Sequence, residues 1–127
     1  TLTCRWVMKD FAVRAQGSAG ALLAMLAIGF SAWASHGLGS GREQHNVLMA
    51  CLYAFGHGAV LVALAPRVLS GLARTALWVL VLGVGLFSGS LLAAVLLGWS
   101  TWAAPLGGML LMLGWLLLSL SHWQGQR

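Results

Sequence analysis

The chain has 127 residues, of which 60% are hydrophobic and 7% charged, against roughly 45–50% and 25% in soluble domains. Seven Lys and Arg and two Asp and Glu cannot cover an apolar core of that size, so a water-soluble globule is excluded. The net charge of +5 therefore reads as membrane topology and not as a nucleic-acid footprint.

Residues 1–16 interleave Arg5, Lys9 and Arg14 with Trp6, Val7, Met8, Phe11, Ala12 and Val13. This spacing fits a basic stretch lying along headgroups. Equally, Met8-Lys9 reads as a natural start preceded by a short extension. An apolar run over 21–30 followed by Ala32-Trp33-Ala34 also resembles a cleavable signal. Its retention in the chain favours a first membrane span.

Charged residues then delimit the spans. Residues 15–41, 44–66 and 75–126 contain no Asp, Glu, Lys or Arg, and one crossing takes about 20 residues. The first two gaps hold one span each. The third holds two, divided at Gly98-Trp99-Ser100-Thr101-Trp102-Ala103-Ala104-Pro105, where interfacial residues lead to a proline expected to stop the helix. The spans are expected near 17–38, 44–65, 75–98 and 104–123, as one all-α domain, a four-transmembrane-helix bundle. Arg5, Lys9, Arg14, Arg67, Arg74 and Arg127 fall on one side and Arg42, beside Glu43, on the other. Excess Lys and Arg in short loops marks the cytoplasmic side, which places both termini inside, N-in/C-in.

Helices in lipid associate through small residues that let backbones approach. The expected packing positions are Ala27, Ser31 and Ser35 on span one, Gly85 and Gly89 as a GxxxG pair on span three, and Gly107, Gly108 and Gly114 on span four. Trp6, Trp78, Trp99, Trp102 and Trp123 are expected to anchor the boundaries. Trp33 and Trp115 lie deeper and are expected to pack between helices. Cys4 and Cys51 should differ in depth and stay free thiols.

Among the polar groups, His122 and His45 lie near water. His36 and His45 sit across a short loop, either as a hydrogen-bonded pair or as two metal ligands lacking a third, and no metal site is expected. His57 lies twelve residues beyond His45, roughly 18 Å deeper. An ionisable group at that depth faces the protein interior and needs a partner. Ser88, Ser90, Ser31, Ser35 or a backbone carbonyl would serve, so His36, His57, Ser88 and Ser90 form the candidate intramembrane polar site. A neutral histidine tying two helices together competes with a proton, quinone or haem role, and no second histidine stands at its depth for bis-histidine haem. Asp10 and Glu43 are the only acids and lie outside the spans. No carboxylate dyad, phosphate loop, nucleophile elbow or metalloprotease helix is present. No catalytic residues and no cofactor are expected.

Ser35-His36-Gly37-Leu38, residues 53–57, Phe87-Ser88-Gly89-Ser90-Leu91, Pro105-Leu106-Gly107-Gly108 and Gly114-Trp115 occur in an order that resembles the YgdD-like small inner-membrane family. This is the domain-of-unknown-function 423 family, with transmembrane protein 256-like relatives, and the resemblance covers roughly residues 17–121. His36 maps onto the family's first histidine, and Tyr53 with His57 onto its Tyr-Gln-x-x-His. Ala54 replaces the usual glutamine, Ala104 the threonine before the span-four proline, and Leu92 a tyrosine. The resemblance implies a four-span bacterial inner-membrane protein without an assigned reaction.

Two functions fit these readings. One is a non-enzymatic accessory or assembly subunit packing laterally on a larger membrane complex such as a respiratory enzyme. The other is a small oligomeric transporter, channel or ligand-binding protein using His36 and His57. The expected partners are the lipid bilayer and either such a complex or further copies of the chain, with no nucleic acid.

Overall fold

A computed structural model describes residues 1–68 and 70–124; Arg127, one of the expected inward charges, lies outside them. The chain forms four helices, α1 Leu2–Gly37, α2 Arg42–Leu64, α3 Gly71–Leu97 and α4 Ala103–Gln124. At 1.5 Å per residue α2, α3 and α4 are roughly 34, 40 and 33 Å long. Each spans the ~30 Å hydrocarbon layer. All four helices are apolar enough to cross a membrane.

Two boundaries differ from expectation. α1 begins at Leu2 and runs unbroken into the first span, because residues 2–16 contain neither glycine nor proline to interrupt it. Pro105 lies in the first turn of α4 and opens that helix instead of stopping its neighbour. The first-turn N–H groups have no intrahelical partner, so a residue lacking one costs little there. α3 ends instead at Gly98, whose φ of 69° is left-handed. Gly98 and Trp99 both turn their N–H groups back to the Ala93 carbonyl, an arrangement that favours glycine.

The buried positions explain the packing. α4 buries Ala104, Gly107, Leu111, Gly114, Leu118 and Ser121, a strict alternation of three and four residues. α2 buries Val47, Ala50, Cys51, Ala54, Gly58 and Leu61, continuing to Ala65. A 3.5-residue repeat keeps one stripe facing a neighbour along the whole helix. α1 packs on α2, α2 on α3 and α3 on α4, while α1 only grazes α3. Among the described residues α1 and α4 do not meet. The bundle is therefore open on one side. Its accessible surface is 8089 Å², where a compact 13.4 kDa protein would expose about 6,500 Å².

Two glycine crossings set the closest approaches. A Cβ on Gly20 would stand 2.5 Å from the Gly58 carbonyl oxygen, and a Cβ on Gly58 equally close to that of Gly20. On the other hairpin a Cβ on Gly107 would meet the Phe87 backbone nitrogen at 2.4 Å and the Gly83 oxygen at 2.8 Å, and one on Gly114 would strike Leu80. The expected packing set thus needs correction. Gly85, Gly89 and Gly108 have nothing within 4 Å of a Cβ position. They lie off the seam, which passes through Gly83 and Gly107. On α1 the seam is Gln16, Gly20, Ala27 and Ala34. Ser31 caps the Ile28 carbonyl of its own helix and Ser35 is exposed.

A candidate intramembrane polar and aromatic cluster

His57 sits on the fifth turn of α2, about 22 Å along the helix from Arg42. The indole Nε1–H of Trp115 on α4 donates to its Nε2 at 3.1 Å, and its Nδ1 lies 2.8 Å from the Tyr53 carbonyl oxygen. An indole N–H only donates, so Nε2 must be the accepting nitrogen. The ring is then neutral, and Nδ1 carries the proton that goes to Tyr53. A protonated imidazolium would present an N–H to the Trp115 N–H and lose the bond. Both ring nitrogens are occupied by protein groups.

Aromatic rings surround this bond. Tyr53 stacks nearly parallel to His57, with centroids 6.0 Å apart, and meets Phe87 of α3 at 4.6 Å. Trp115 stands edge-on to the imidazole at 5.9 Å. Ring pairs in this range add stabilisation beyond the area they bury. The cluster joins α2, α3 and α4, although α2 and α4 have no backbone approach of their own.

The four candidate polar residues do not form one site. Ser88 donates its hydroxyl to the Ala50 carbonyl at 2.7 Å, tying α3 to α2 away from His57. The buried Ser90 Oγ has no hydrogen-bond partner among the described residues. It lines a groove with Gly85, Gly89, Trp99 and Trp102. His36, in the last turn of α1, is exposed and separated from His57 by most of α2. Of the expected partners of His57, a backbone carbonyl is present in Tyr53, while the serines are replaced by Trp115. The misreading has a physical cause: Trp115 lies far along the sequence, and helix–helix register sets the match. Among the described residues no three His, Cys, Asp or Glu side chains come together as a metal would require. Both cysteines are free, Cys4 exposed and Cys51 buried.

A second polar knot lies one helical turn beyond the Gly20–Gly58 crossing, in the same half of the bundle as His57, and escaped the sequence reading. Gln16, wholly buried, donates its side-chain amide to the Arg74 carbonyl at 3.2 Å. The Arg74 guanidinium returns a bond to Gln16 Oε1 and donates to the Val68 carbonyl at 3.1 Å. A glutamine in the basic segment gave no reason to look for a partner 58 residues away. The only available signal was an amide at the step between charged tail and apolar span.

Residues 30–108 match the family model described as protein of unknown function DUF423. A UPF0382 membrane protein of Staphylococcus aureus is 36% identical over 111 residues, covering 78% of this chain and 87% of that one. One from Staphylococcus haemolyticus is 36% identical over 115 residues, 80% and 89% of the two chains. The chain belongs to the DUF423 family. No solved structure matches it. The fold gives the family resemblance a geometric meaning, since Tyr53, His57, Phe87 and Trp115 come from three separate sequence segments and meet in one cluster. Ala54, where the resemblance places a glutamine, is buried in the α2 seam, so the core here is apolar at that point. DUF423 relatives bear the name of membrane proteins, in agreement with four membrane-spanning helices.

Proposed function

We propose that this DUF423 protein is a non-enzymatic accessory or assembly subunit of the bacterial inner membrane that packs laterally on a larger membrane complex. The observation that carries this reading is the open face of α3. Because α1 and α4 do not meet, Gly85 and Gly89 are exposed at a groove bordered by α1 on one side and by Trp99 and Trp102 on the other. A GxxxG pair with nothing within 4 Å of either Cβ position among the described residues leaves room for the backbone of another helix. The neutral, fully engaged His57 supports the same reading, since it has no free nitrogen for a proton path. The alternative, an oligomeric transporter or ligand-binding protein using His36 and His57, draws less support because the two histidines belong to different ends of the fold.

Native-membrane pull-down in several mild detergents tests this function. Recovery of a defined larger complex, lost in a G85L/G89L variant of unchanged thermal stability, is the expected result. Recovery of the chain alone in every detergent would count decisively against it.

A further inference from the structure

α1 is longer than a membrane requires. Its 36 residues reach about 54 Å, and fitting them into ~30 Å of hydrocarbon would need a tilt above about 50°, outside the 0–40° range of membrane helices. Residues 17–37 alone suffice for the crossing. The Gln16–Arg74 knot stands where that crossing begins. On its N-terminal side the bundle holds little: residues 1–11 are all exposed, with Val7, Met8 and Phe11 at 63%, 66% and 69%.

Those residues are not scattered. Cys4, Met8, Phe11 and Ala15 recur at four-three-four spacing, which places them on one helix face. Val7 and Ala12 widen that face without adding a charge. At 100° per residue Arg5 and Lys9 run along one border and Arg14 along the other, with Asp10 the single opposing charge. An apolar face flanked by cations on both sides suits the boundary between acyl chains and headgroups, where the cations reach phosphates. Lys9 lies 6.0 Å from the Trp6 ring centroid, on the face away from the apolar stripe.

We propose that residues 2–15 dock along a membrane surface rich in anionic phospholipid, with Val7, Met8 and Phe11 in the acyl boundary and Arg5, Lys9 and Arg14 on headgroup phosphates. Docking bends the segment away from the α1 axis on the N-terminal side of Gln16, in a helix that is continuous over Leu2–Gly37 in the structure; the Gln16–Arg74 knot marks where α1 leaves the bundle. Charge selects the surface. Each cation near an anionic leaflet contributes about 1 kcal/mol, equivalent to about fivefold in the docked population.

Cys4 lies on the docking face and supplies the reporter. The full chain carrying Cys51→Ala, spin-labelled at Cys4, is placed in nanodiscs of phosphatidylcholine with or without phosphatidylglycerol. With phosphatidylglycerol the label is expected to meet lipid-soluble oxygen and to be shielded from a water-soluble nickel chelate. In phosphatidylcholine alone, and at high salt, it is expected to be wet. R5Q, K9Q and R14Q should each lower the docked-to-free ratio about fivefold. Equal accessibility in the two lipids, whether wet in both or shielded in both, overturns the proposal. That comparison needs no charge variant, so misfolding of one cannot obscure it.

Discussion

Trp115 on α4 and His57 on α2 share a 3.1 Å hydrogen bond across two helices whose backbones do not touch. Interhelical hydrogen bonds in membranes average about 0.6 kcal/mol and reach about 1.7. A double-mutant cycle of W115F and H57F, read by unfolding in mixed micelles, should give a coupling in that range. Either single variant strands its partner in an apolar setting, W115F the His57 Nε2 acceptor and H57F the Trp115 indole N–H. Additive single effects would mean that the bond contributes nothing.

The glycines divide into two classes that one experiment separates. G20A, G58A and G107A each force a methyl into backbone at 2.4–2.5 Å. Overpacking of this kind costs about 1–3 kcal/mol, and here the obstacle is main chain that cannot rotate away. G85A, G89A and G108A meet open space and should be neutral or stabilising by up to about 1 kcal/mol through helix propensity. Melting temperatures in one detergent would rank them. A G85A variant as unstable as G107A would show that the open face is filled.

One turn from the Gly20–Gly58 crossing, Gln16 and Arg74 answer each other's hydrogen-bonding groups. Q16L removes the acceptor of one guanidinium nitrogen and the donor to the Arg74 carbonyl at the same time. The loss expected for a buried, charge-assisted knot is about 1.5–3 kcal/mol. R74K should recover only part of the stability, because one ammonium lacks the planar fork that reaches Gln16 and Val68 together. Thermal melts of Q16L, R74K and the double variant would check this. Equal stability of R74K and the parent would remove the fork from the explanation.

Helix number and position were legible because charge is scarce: Arg42, Arg67 and Arg74 interrupt the apolar runs almost where the helices change. Side-chain roles were less legible. Gly85-x-x-x-Gly89 has the signature of a packing face, yet the seam uses Gly83, two residues earlier. A two-residue step turns a side chain by about 200°, and α3 is small or apolar all round, so composition could not select the buried side. For the same reason α1 showed Ala27 but not Gly20 or Ala34 as its contact points. His57 was recognisable from depth alone, whereas its partner depended on the register of α4 against α2.

The direction of the chain in the membrane offers the last prediction. Four crossings put residues 1–11, Arg67 and Gln124 on one side, and residues 38–41 and 98–102 on the other. Arg5, Lys9, Arg14, Arg67 and Arg74 share the first side, while Arg42, beside Glu43, serves the second; by the positive-inside rule the first side is expected to face the cytoplasm. In a Cys4→Ser background, S40C and T101C should react with a membrane-impermeant maleimide in intact spheroplasts, and Q124C only after the membrane is opened. Cys51 is buried and should stay silent until the protein is unfolded. Labelling of Q124C in intact spheroplasts, with S40C protected, would invert the topology. It would also leave the basic segment on the outer surface, where retention by positive charge does not operate.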